Sequence, residues 1–386
     1  MKLMLIFGTR PEAIKMAPII SCLKTNAKNL KLIVCVTAQH REMLDQVLNI
    51  FHIIPDYDLN IMHPAQDLFS ITTNTLKGLK SILIKERPDM VLVQGDTTTA
   101  FIAGLAAYYL KIPVGHVEAG LRTYNRYSPF PEEINRRLLS ALADIHFAPT
   151  DWAKSNLLKE GIPVSKIVVT GNTVVDALLV IKRRQQVKNI GKLWETYFRK
   201  SWNLMIPGKY AVKKLILVTG HRRENFGKGF RDICFALKKI AIARKDTVIV
   251  YPVHLNPNVQ LPVKAILSKI ANIHLIKPLE YEPFIYLMDH AYLILTDSGG
   301  IQEEAPSLGK PVLVMRDTTE RPEGIEAKAV KLVGTDKKII VRDTLRLLDN
   351  KILYKKMSKR INPYGDGKAA ERITKVLMKM LANVKR

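Results

Sequence analysis

Short apolar runs of strand length recur along the chain and alternate with segments of helical periodicity. In the first half they fall at 2–8, 32–37, 90–94, 114–118, 146–148 and 167–170, and in the second half at 215–219, 247–252, 273–276, 291–296, 311–315 and 329–333. Continuous apolar strands separated by helices are typical of βαβ units with a buried parallel sheet. We therefore predict an α/β fold made of two doubly wound, Rossmann-like domains.

The length of the chain also favours two domains. It has 386 residues, of which 47% are hydrophobic, and a single core rarely organises that many. The alternation of strands and helices breaks at 182–214, so we place the domain boundary between about 170 and 185. In open α/β folds ligands bind at the carboxyl ends of the strands. We expect an active site in a cleft that faces those ends of both sheets.

The net charge of +25 raises nucleic acid or an anionic membrane as partners. Most of it lies in two segments: 182–214 has ten Lys or Arg against one acid, and 351–386 has eleven against two. A solvated, lysine-rich surface explains such segments, and a weak attraction to polyanions is the alternative. We predict no specific nucleic-acid partner.

Cysteine usage and hydropathy point to the cytoplasm. The three cysteines, Cys22, Cys35 and Cys234, are far apart and have no metal-ligand spacing, which is typical of reduced core residues. The longest apolar run, 100–110, is too short to cross a bilayer. We predict a soluble, cytoplasmic protein with no membrane insertion.

Polar residues follow the strands of the first half. Arg10 and Lys15 lie at a helix start, where they suit a phosphate, although a surface pair of cations gives the same pattern. Asp96 follows another strand, and a simple helix N-cap is its commoner explanation. Glu118 ends a mostly apolar strand. Burying a carboxylate there costs free energy unless it is paired or functional, so we favour a functional role for Glu118.

A third carboxylate, Glu132, opens a helical pattern after two prolines. Glu132 and Arg136 are four residues apart and would share one helix face, which also fits a plain ion pair that stabilises the helix. With Asp96 and Glu118, three carboxylates are predicted at the strand ends of the first half.

The second half offers a glycine turn. Ser298, Gly299 and Gly300 follow a strand and begin a helix that carries Glu304. Main-chain N–H groups at such a turn suit a pyrophosphate, and Glu304 could accept hydrogen bonds from ribose hydroxyls. An ordinary βα turn with glycines that serve packing is the alternative. The later Arg321 favours the nucleotide.

Two further segments of this half carry candidates. His221 follows a strand in a cationic glycine turn. It could donate a hydrogen bond to a phosphate, act as an acid–base group, or be an ordinary surface histidine. Phe284 could face a base, although a core position is the commoner explanation for such a residue. No carboxylate or histidine cluster has metal-ligand spacing, and no G-x-G-x-x-G follows a strand. We predict neither a metal nor a nicotinamide cofactor.

Taken together, these motifs resemble the non-hydrolysing UDP-N-acetylglucosamine 2-epimerases of bacteria. The matching segments are GTRPEAIK from Gly8, GDTT from Gly95, GHVEAGLR from Gly115, PEE from Pro131 with the Asn-Arg pair at 135–136, TGHRRE from Thr219, DSGGIQEE from Asp297 and RPE from Arg321. The resemblance runs from Met1 to the NPYGDG segment that ends at Gly367. It implies a GT-B-like pair of domains and a homodimer. The domains would span 1–175, with the catalytic carboxylates, and 176–367, with the UDP site, while a final helix at 368–386 packs back on the first domain.

The resemblance also implies the reaction and the roles of the residues. The reaction would invert C2 of the sugar in UDP-GlcNAc to give UDP-ManNAc, by elimination of UDP to 2-acetamidoglucal and re-addition, for cell-surface polysaccharide synthesis. By position, the catalytic residues would be Asp96, Glu118, Glu132 and His221, and the substrate-binding residues would be Arg10, Lys15, Arg136, Leu279, Phe284, Ser298, Gly299, Gly300, Glu304 and Arg321.

Two residues depart from the pattern of the family. Leu279 stands where a bacterial relative has glutamine, so only a main-chain contact with the uracil side is expected there. Lys328 replaces an expected glycine, and it costs stability if φ is positive at that position. Alternative activities are a hydrolysing 2-epimerase that releases free ManNAc and UDP, and a GT-B glycosyltransferase that uses a UDP-sugar.

Overall fold

A computed structural model of the chain describes residues 1–27, 29–38, 41–62, 66–206 and 213–383. The chain divides into two compact units, Met1–Ala177 together with Tyr364–Arg386, and Leu178–Pro363. Each unit contains one parallel sheet whose strands are connected by helices. The predicted fold class, two doubly wound Rossmann-like sheets, is confirmed.

All strands in the described part of the first unit run parallel. In chain order they are β1 (Lys2–Phe7), β2 (Lys31–Val36), β3 (Tyr57–Asp58), β4 (Met90–Gln94), β5 (Val114–Val117), β6 (Ile145–Ala148) and β7 (Ile167–Val169). Their spatial order is β3-β2-β1-β4-β5-β6-β7. The central strands β1 and β4 are buried almost throughout, which explains their continuous apolar sequences.

The helices of this unit lie between the strands, except for the last one. They are α1 (Arg10–Asn26), α2 (Arg41–Ile50), α3 (Leu68–Glu86), α4 (Thr98–Tyr109), α5 (Glu132–Leu142), α6 (Asp151–Lys159), α7 (Thr173–Gln185), which continues into the second unit, and α16 (Ala369–Asn383). Helices α3, α4 and α5 cover a core of side chains from β1, β2, β4 and β5. Helix α16 contacts α1.

The second unit repeats this architecture. Its parallel strands are β8 (Lys214–Thr219), β9 (Thr247–Pro252), β10 (Ile273–Ile276), β11 (Leu293–Thr296), β12 (Val312–Val314) and β13 (Val330–Leu332), in the order β10-β9-β8-β11-β12-β13. Its helices are α8 (Lys188–Trp202), α9 (Lys228–Ala243), α10 (Pro257–Leu267), α11 (Tyr281–His290), α12 (Gly299–Glu304), α13 (Pro322–Glu326), α14 (Lys337–Asp349) and α15 (Lys351–Ser358).

Each sheet reverses its strand order once. The reversal lies between β1 and β4 in the first unit and between β8 and β11 in the second. In open α/β sheets the crevice at such a point, beyond the carboxyl ends of the strands, is the usual ligand site. The loops after these four strands therefore decide where function is placed in each unit.

The three cysteines differ in how deeply they are buried. Cys35 and Cys234 are fully buried, and burial raises the pKa of each thiol to about 12. Cys22 is only half-buried, so the prediction that all three cysteines are core residues is wrong for Cys22.

No helix within the described ranges is both long and apolar enough to cross a membrane. Residues 207–212 of the basic segment 182–214 lie outside the described ranges.

Candidate functional site

The loop that follows β1 is tied to the loop that follows β4 by a buried carboxylate. Glu12, in the first turn of α1, accepts hydrogen bonds from Gly8 N at 3.0 Å and from Thr9 N at 2.8 Å. Its other oxygen accepts a 2.7 Å hydrogen bond from Thr97 Oγ1. Burial raises the pKa of Glu12, although these hydrogen bonds act in the opposite direction. Glu12 thereby fixes the backbone next to Arg10, which begins α1 and is half-buried.

Asp96 lies beside the same switch point. Its carboxylate forms an ion pair with Arg136 of α5, whose Nε donates to Oδ2 at 3.1 Å. Asn135 Nδ2 donates to the Asp96 carbonyl at 3.0 Å. The N-cap of α4 is Thr97, whose hydroxyl accepts from Ala100 N at 3.0 Å. The capping explanation for Asp96 is therefore wrong, and its carboxylate points to Arg136 instead.

Glu118 follows β5 in an unusual backbone conformation, with φ of 62°. A left-handed conformation is uncommon for a residue with a side chain. Lys15 Nζ lies 2.7 Å from Glu118 Oε1 and 2.5 Å from Oε2. Asn172 Nδ2 donates to Oε2 at 3.0 Å. The Glu118 side chain is only 7% exposed. Glu118 is thus a nearly buried carboxylate, oriented by a cation and an amide.

Helix α5 presents two adjacent glutamates with different surroundings. Glu132 begins the helix and is half-buried. Glu133 is fully buried and accepts hydrogen bonds at 3.0 Å from Thr123 N and Tyr124 N. Arg136 Nη1 also donates to Glu133, at 3.2 Å. Arg136 therefore bridges Glu133 and Asp96, and Glu133 orders the loop before the helix.

In the second unit, Asp297 connects the loops that follow β8 and β11. It is fully buried, and its Oδ2 accepts hydrogen bonds at 2.8 Å from both His221 N and Arg222 N. His221 Nδ1 lies 3.6 Å from Asp297 Oδ1, and His254 stacks on the His221 ring with 5.2 Å between centroids. Burial lowers the pKa of His221, while Asp297 acts to raise it. The His221 side chain stays 40% exposed, so it is accessible to a ligand.

The glycine turn after β11 is covered by Arg321. A Cβ on Gly299 would lie 2.4 Å from Arg321 Nη1, so a side chain there would displace the guanidinium. Arg321 Nε donates to Glu303 at 2.6 Å and Nη1 donates to Glu320 at 2.5 Å. Burial acts to raise the pKa of Glu320, but the nearby arginines lower it to about 2. At Gly300 a Cβ would meet no atom within 4 Å.

The remaining predicted contacts lie near the same turn. Ser298 is the N-cap of α12, and its N–H donates to Thr296 Oγ1 at 2.9 Å. Glu304 is buried, and its Oε1 accepts a 2.8 Å hydrogen bond from Tyr281. Leu279 and Phe284 are both half-buried.

The structure also reveals buried partners that sequence reasoning did not include. Each is a polar residue that orients a predicted one or fixes its loop: Glu12, Glu133, Asn172, Asp297 and Glu303. Asp297 and Glu12 stand directly after apolar strands or within the first helical turn. Because a buried carboxylate needs partners, that placement was the available signal for these two.

The chemical capacity of the two units differs. The first unit presents carboxylates that are paired with cations, which is an arrangement for proton transfer next to a negatively charged group. The second unit presents main-chain N–H groups, an open glycine and an oriented guanidinium, which suit a phosphate or pyrophosphate.

Comparison with known proteins identifies the family to which the chain belongs. The sequence model of the UDP-N-acetylglucosamine 2-epimerase family matches residues 23–378. A UDP-N-acetylglucosamine 2-epimerase of Escherichia coli strain K12 is 58% identical over 377 residues, which is 98% of each chain. A probable UDP-N-acetylglucosamine 2-epimerase of Ralstonia solanacearum is 57% identical and covers 99% of this chain and 100% of its own length.

A solved structure shows the same similarity in three dimensions. The UDP-GlcNAc 2-epimerase of Neisseria meningitidis, crystallised with UDP-GlcNAc, superposes with a TM-score of 0.90. It is 53% identical in sequence, and the match covers 98% of this chain and 100% of the other. The chain therefore belongs to the UDP-N-acetylglucosamine 2-epimerase family.

Proposed function

We propose that this protein interconverts UDP-GlcNAc and UDP-ManNAc by inverting C2 of the sugar, without net hydrolysis. The observation that carries the proposal is the pair of cation-bound carboxylates at the strand ends of the first unit, Asp96 with Arg136 and Glu118 with Lys15. They occur in a chain that matches UDP-GlcNAc 2-epimerases over nearly its whole length.

The chemistry requires both acid–base groups and a stable leaving group. The hydrogen on C2 is poorly acidic, because no carbonyl at C1 can accept the electron pair. If a base removes that hydrogen while the C1–O bond to UDP breaks, the electron pair forms the C1–C2 double bond of 2-acetamidoglucal. UDP then adds back to C1 as C2 accepts a proton on the opposite face. Atoms and charges balance, and no redox cofactor or metal is required.

Each residue receives a proposed role in this scheme. Asp96, Glu118 and Glu132 are the candidates that remove or deliver the proton at C2, and His221 is a candidate acid–base group near the phosphates. Binding of the phosphates and the sugar is assigned to Arg10, Lys15, Arg136 and Arg321, binding of the pyrophosphate to Ser298, Gly299 and Gly300, binding of the ribose to Glu304, and the uracil side to Leu279 and Phe284.

The second unit suits the retention of UDP during the reaction. Because UDP is released covalently and recaptured, the groups that bind it have to act without the glycosidic bond. Main-chain N–H groups at Gly299 and Gly300 and the guanidinium of Arg321, held by Glu303 and Glu320, provide a preorganised anion site. We therefore propose that the unit of residues 1–177 carries out proton transfer and that the unit of residues 178–363 binds UDP.

Three wider proposals accompany this activity. We infer that the enzyme acts in the cytoplasm as a homodimer and that its product supplies ManNAc units for cell-surface polysaccharides. Cys35 and Cys234 are buried free thiols, which is typical of proteins in a reducing compartment and supports that location. Sedimentation velocity tests the dimer directly, and a monomer at micromolar concentration would contradict it.

The reaction is tested by incubation of UDP-GlcNAc with the enzyme in heavy water, followed by NMR. We expect UDP-ManNAc to form and deuterium to appear at C2 of both sugars, because the proton on C2 exchanges with solvent. Free ManNAc that appears in step with UDP would indicate a hydrolysing epimerase. Turnover that depends on an added sugar acceptor would indicate a glycosyltransferase. An active preparation that shows neither exchange nor UDP-ManNAc would refute the proposal.

A further inference from the structure

The second unit contains an apolar cavity at a place that the proposed reaction does not use. Its volume is about 330 Å³, and its apolar lining comes from Ile325 of α13, Val330 of β13, and Leu353 and Met357 of α15. Leu353 and Met357 also pack against the main core of this unit. The cavity is at the small end of the range for ligand pockets, so it suits the body of a small molecule.

The other lining residues are all cations. Lys331 forms an ion pair with Asp343 at 2.9 Å. Lys328, Lys356 and Arg360 also line the cavity, and the described part of the chain provides no ion pair or hydrogen bond for their side chains. The Nε atom of Arg360 is buried and has no hydrogen-bond partner in the part of the chain that the structure describes. A buried donor without an acceptor costs free energy, so a bound anion would relieve that cost.

The backbone also brings a cation to the cavity. Lys328 has φ of 58°, a conformation in which glycine is favoured because other residues are strained. The chain therefore carries a lysine at the cavity, in a position where a residue without a side chain would be unstrained. Part of the basic segment 351–386, which the proposed catalytic function leaves unexplained, supplies two of the other cations.

We propose that this cavity binds a small single-chain anionic amphiphile, with its hydrocarbon tail against Val330, Leu353 and Met357 and its acidic head group among Lys328, Lys356 and Arg360. The ligand has one carboxylate or monoester head and an unbranched tail, as in a medium-chain fatty acid. The apolar lining disfavours a nucleotide, since it offers no polar groups to pair with a base or a sugar.

Isothermal titration calorimetry with octanoate, acetate and 1-octanol tests the proposal on the full-length protein. Octanoate is expected to bind at one site per chain. Acetate lacks the tail and octanol lacks the charge, so each should bind at least about tenfold more weakly. The Lys356→Gln/Arg360→Gln variant should weaken octanoate at least about fivefold. A matched control is Lys238→Gln/Lys239→Gln, which removes the same charge from exposed positions of α9 and should bind octanoate normally.

Methionine-methyl NMR supplies a readout that does not depend on the variants. The methyl signal of Met357 is assigned as the one that disappears in Met357→Leu. In the unmodified protein, octanoate should shift this signal. Both double variants should retain epimerase turnover, which shows that they are folded. The proposal is overturned if octanoate leaves Met357 unperturbed, if both double variants bind it equally, or if the protein binds only vesicles of anionic phospholipid.

Discussion

At the scale of single residues, the carboxylates of the first unit fall into two groups. Glu133 and Glu12 are buried and accept main-chain hydrogen bonds, which is the environment of a structural acid. Asp96 and Glu118 pair with the side chains of Arg136 and Lys15. Arg136 also contacts Glu133, but Glu133 is fully buried whereas Asp96 is 26% exposed. A cation next to the carboxylate can also stabilise a departing anion. We therefore propose the second group as the source of proton transfer.

The first prediction concerns these acid–base candidates. Asp96→Asn, Glu118→Gln and Glu132→Gln should each lower kcat at least about a hundredfold, because an amide of nearly the same size cannot transfer the proton. Conversion of UDP-GlcNAc to UDP-ManNAc measured by NMR checks this. Glu42→Gln, the same change at an exposed position of α2, should retain full activity. Near-normal turnover in any one of the three variants would remove that residue from the chemistry.

A functional residue can be predicted from the sequence when its neighbours along the chain mark it. Glu118 and Asp96 could be selected because each stands directly after an apolar strand. Their partners carry no such signal: Lys15 is 103 residues from Glu118, and Asn172 is 54 residues from it. The spacing of Glu132 and Arg136 suggested a pair on one helix face, whereas Arg136 also reaches Asp96 and Glu133. Long-range pairing follows from the fold and has no local pattern.

At the scale of elements, the predicted strands were found with ends within two residues of those observed. A parallel strand that is buried on both faces has a continuous apolar sequence, so its position can be read directly. Strand β3, Tyr57–Asp58, was not predicted. It has only two residues at the edge of its sheet and ends in a charged residue, so it lacks the apolar run that identifies the other strands.

The end of helix α13 provides an element-scale test of the strain expected at Lys328. Ala329 N donates to Gly324 O at 3.2 Å, and Lys328 N donates to Ile325 O at 2.8 Å. These are the two hydrogen bonds of a Schellman motif, in which glycine is preferred at the position that Lys328 occupies. Helix α6 ends with the same pattern but has Gly161 there, with φ of 83°. The two helices form a matched pair.

Exchange of the residue type at this position should change stability in opposite directions. Lys328→Gly should raise the free energy of unfolding by about 0.5–1 kcal/mol, because relief of the left-handed strain exceeds the entropy cost of a glycine. Gly161→Ala should lower it by about 1 kcal/mol, since a Cβ there meets no atom within 4 Å and only the backbone conformation is affected. Urea unfolding followed by circular dichroism measures both. A less stable Lys328→Gly variant would contradict the assigned strain.

At the scale of the whole molecule, sequence periodicity was sufficient for two Rossmann-like units but not for the path of the last segment. Residues from Tyr364 onward belong to the first unit. Asp176 accepts hydrogen bonds from Ala369 N and Ala370 N at 3.2 and 2.9 Å, which fixes the start of α16. Burial raises the pKa of Asp176 to about 6. Nothing within residues 364–386 alone indicates such a partner almost two hundred residues earlier.

The stability of the first unit should depend on pH through two histidines on neighbouring strands of its sheet. His116 of β5 and His146 of β6 are fully buried register partners on neighbouring strands, with 6.4 Å between ring centroids. His116 Nε2 lies 2.8 Å from Gly95 O, while neither ring nitrogen of His146 has a hydrogen-bond partner among the described residues. Burial lowers the pKa of His116 to about 3 and that of His146 to about 4, and Arg122 acts in the same direction.

These shifts predict a loss of stability in acid. An unfolded chain protonates both histidines below about pH 6.5, whereas the folded protein does not, so the unfolded state binds more protons. As pH falls from 6 to the folded pKa of each histidine, that histidine should lower the free energy of unfolding by about 1.4 kcal/mol per pH unit. Asp176 acts in the opposite direction below pH 6, so the total slope does not isolate the histidines. A comparison of two proteins that differ only at His146 does.

His146→Leu is the variant that makes this comparison. It replaces a buried polar group that lacks partners, so it should be at least as stable as the unmodified protein at pH 7. Urea unfolding of both proteins from pH 7 to pH 4.5 should give curves that diverge as pH falls, with the variant more stable by about 2 kcal/mol at pH 5. His274→Leu, at a position of β10 where burial also lowers the histidine pKa, is the control in the second unit. It should diverge less, because the His274 side chain is only half-buried. Parallel curves for the unmodified protein and His146→Leu would show that His146 is protonated in the folded state or accessible to water.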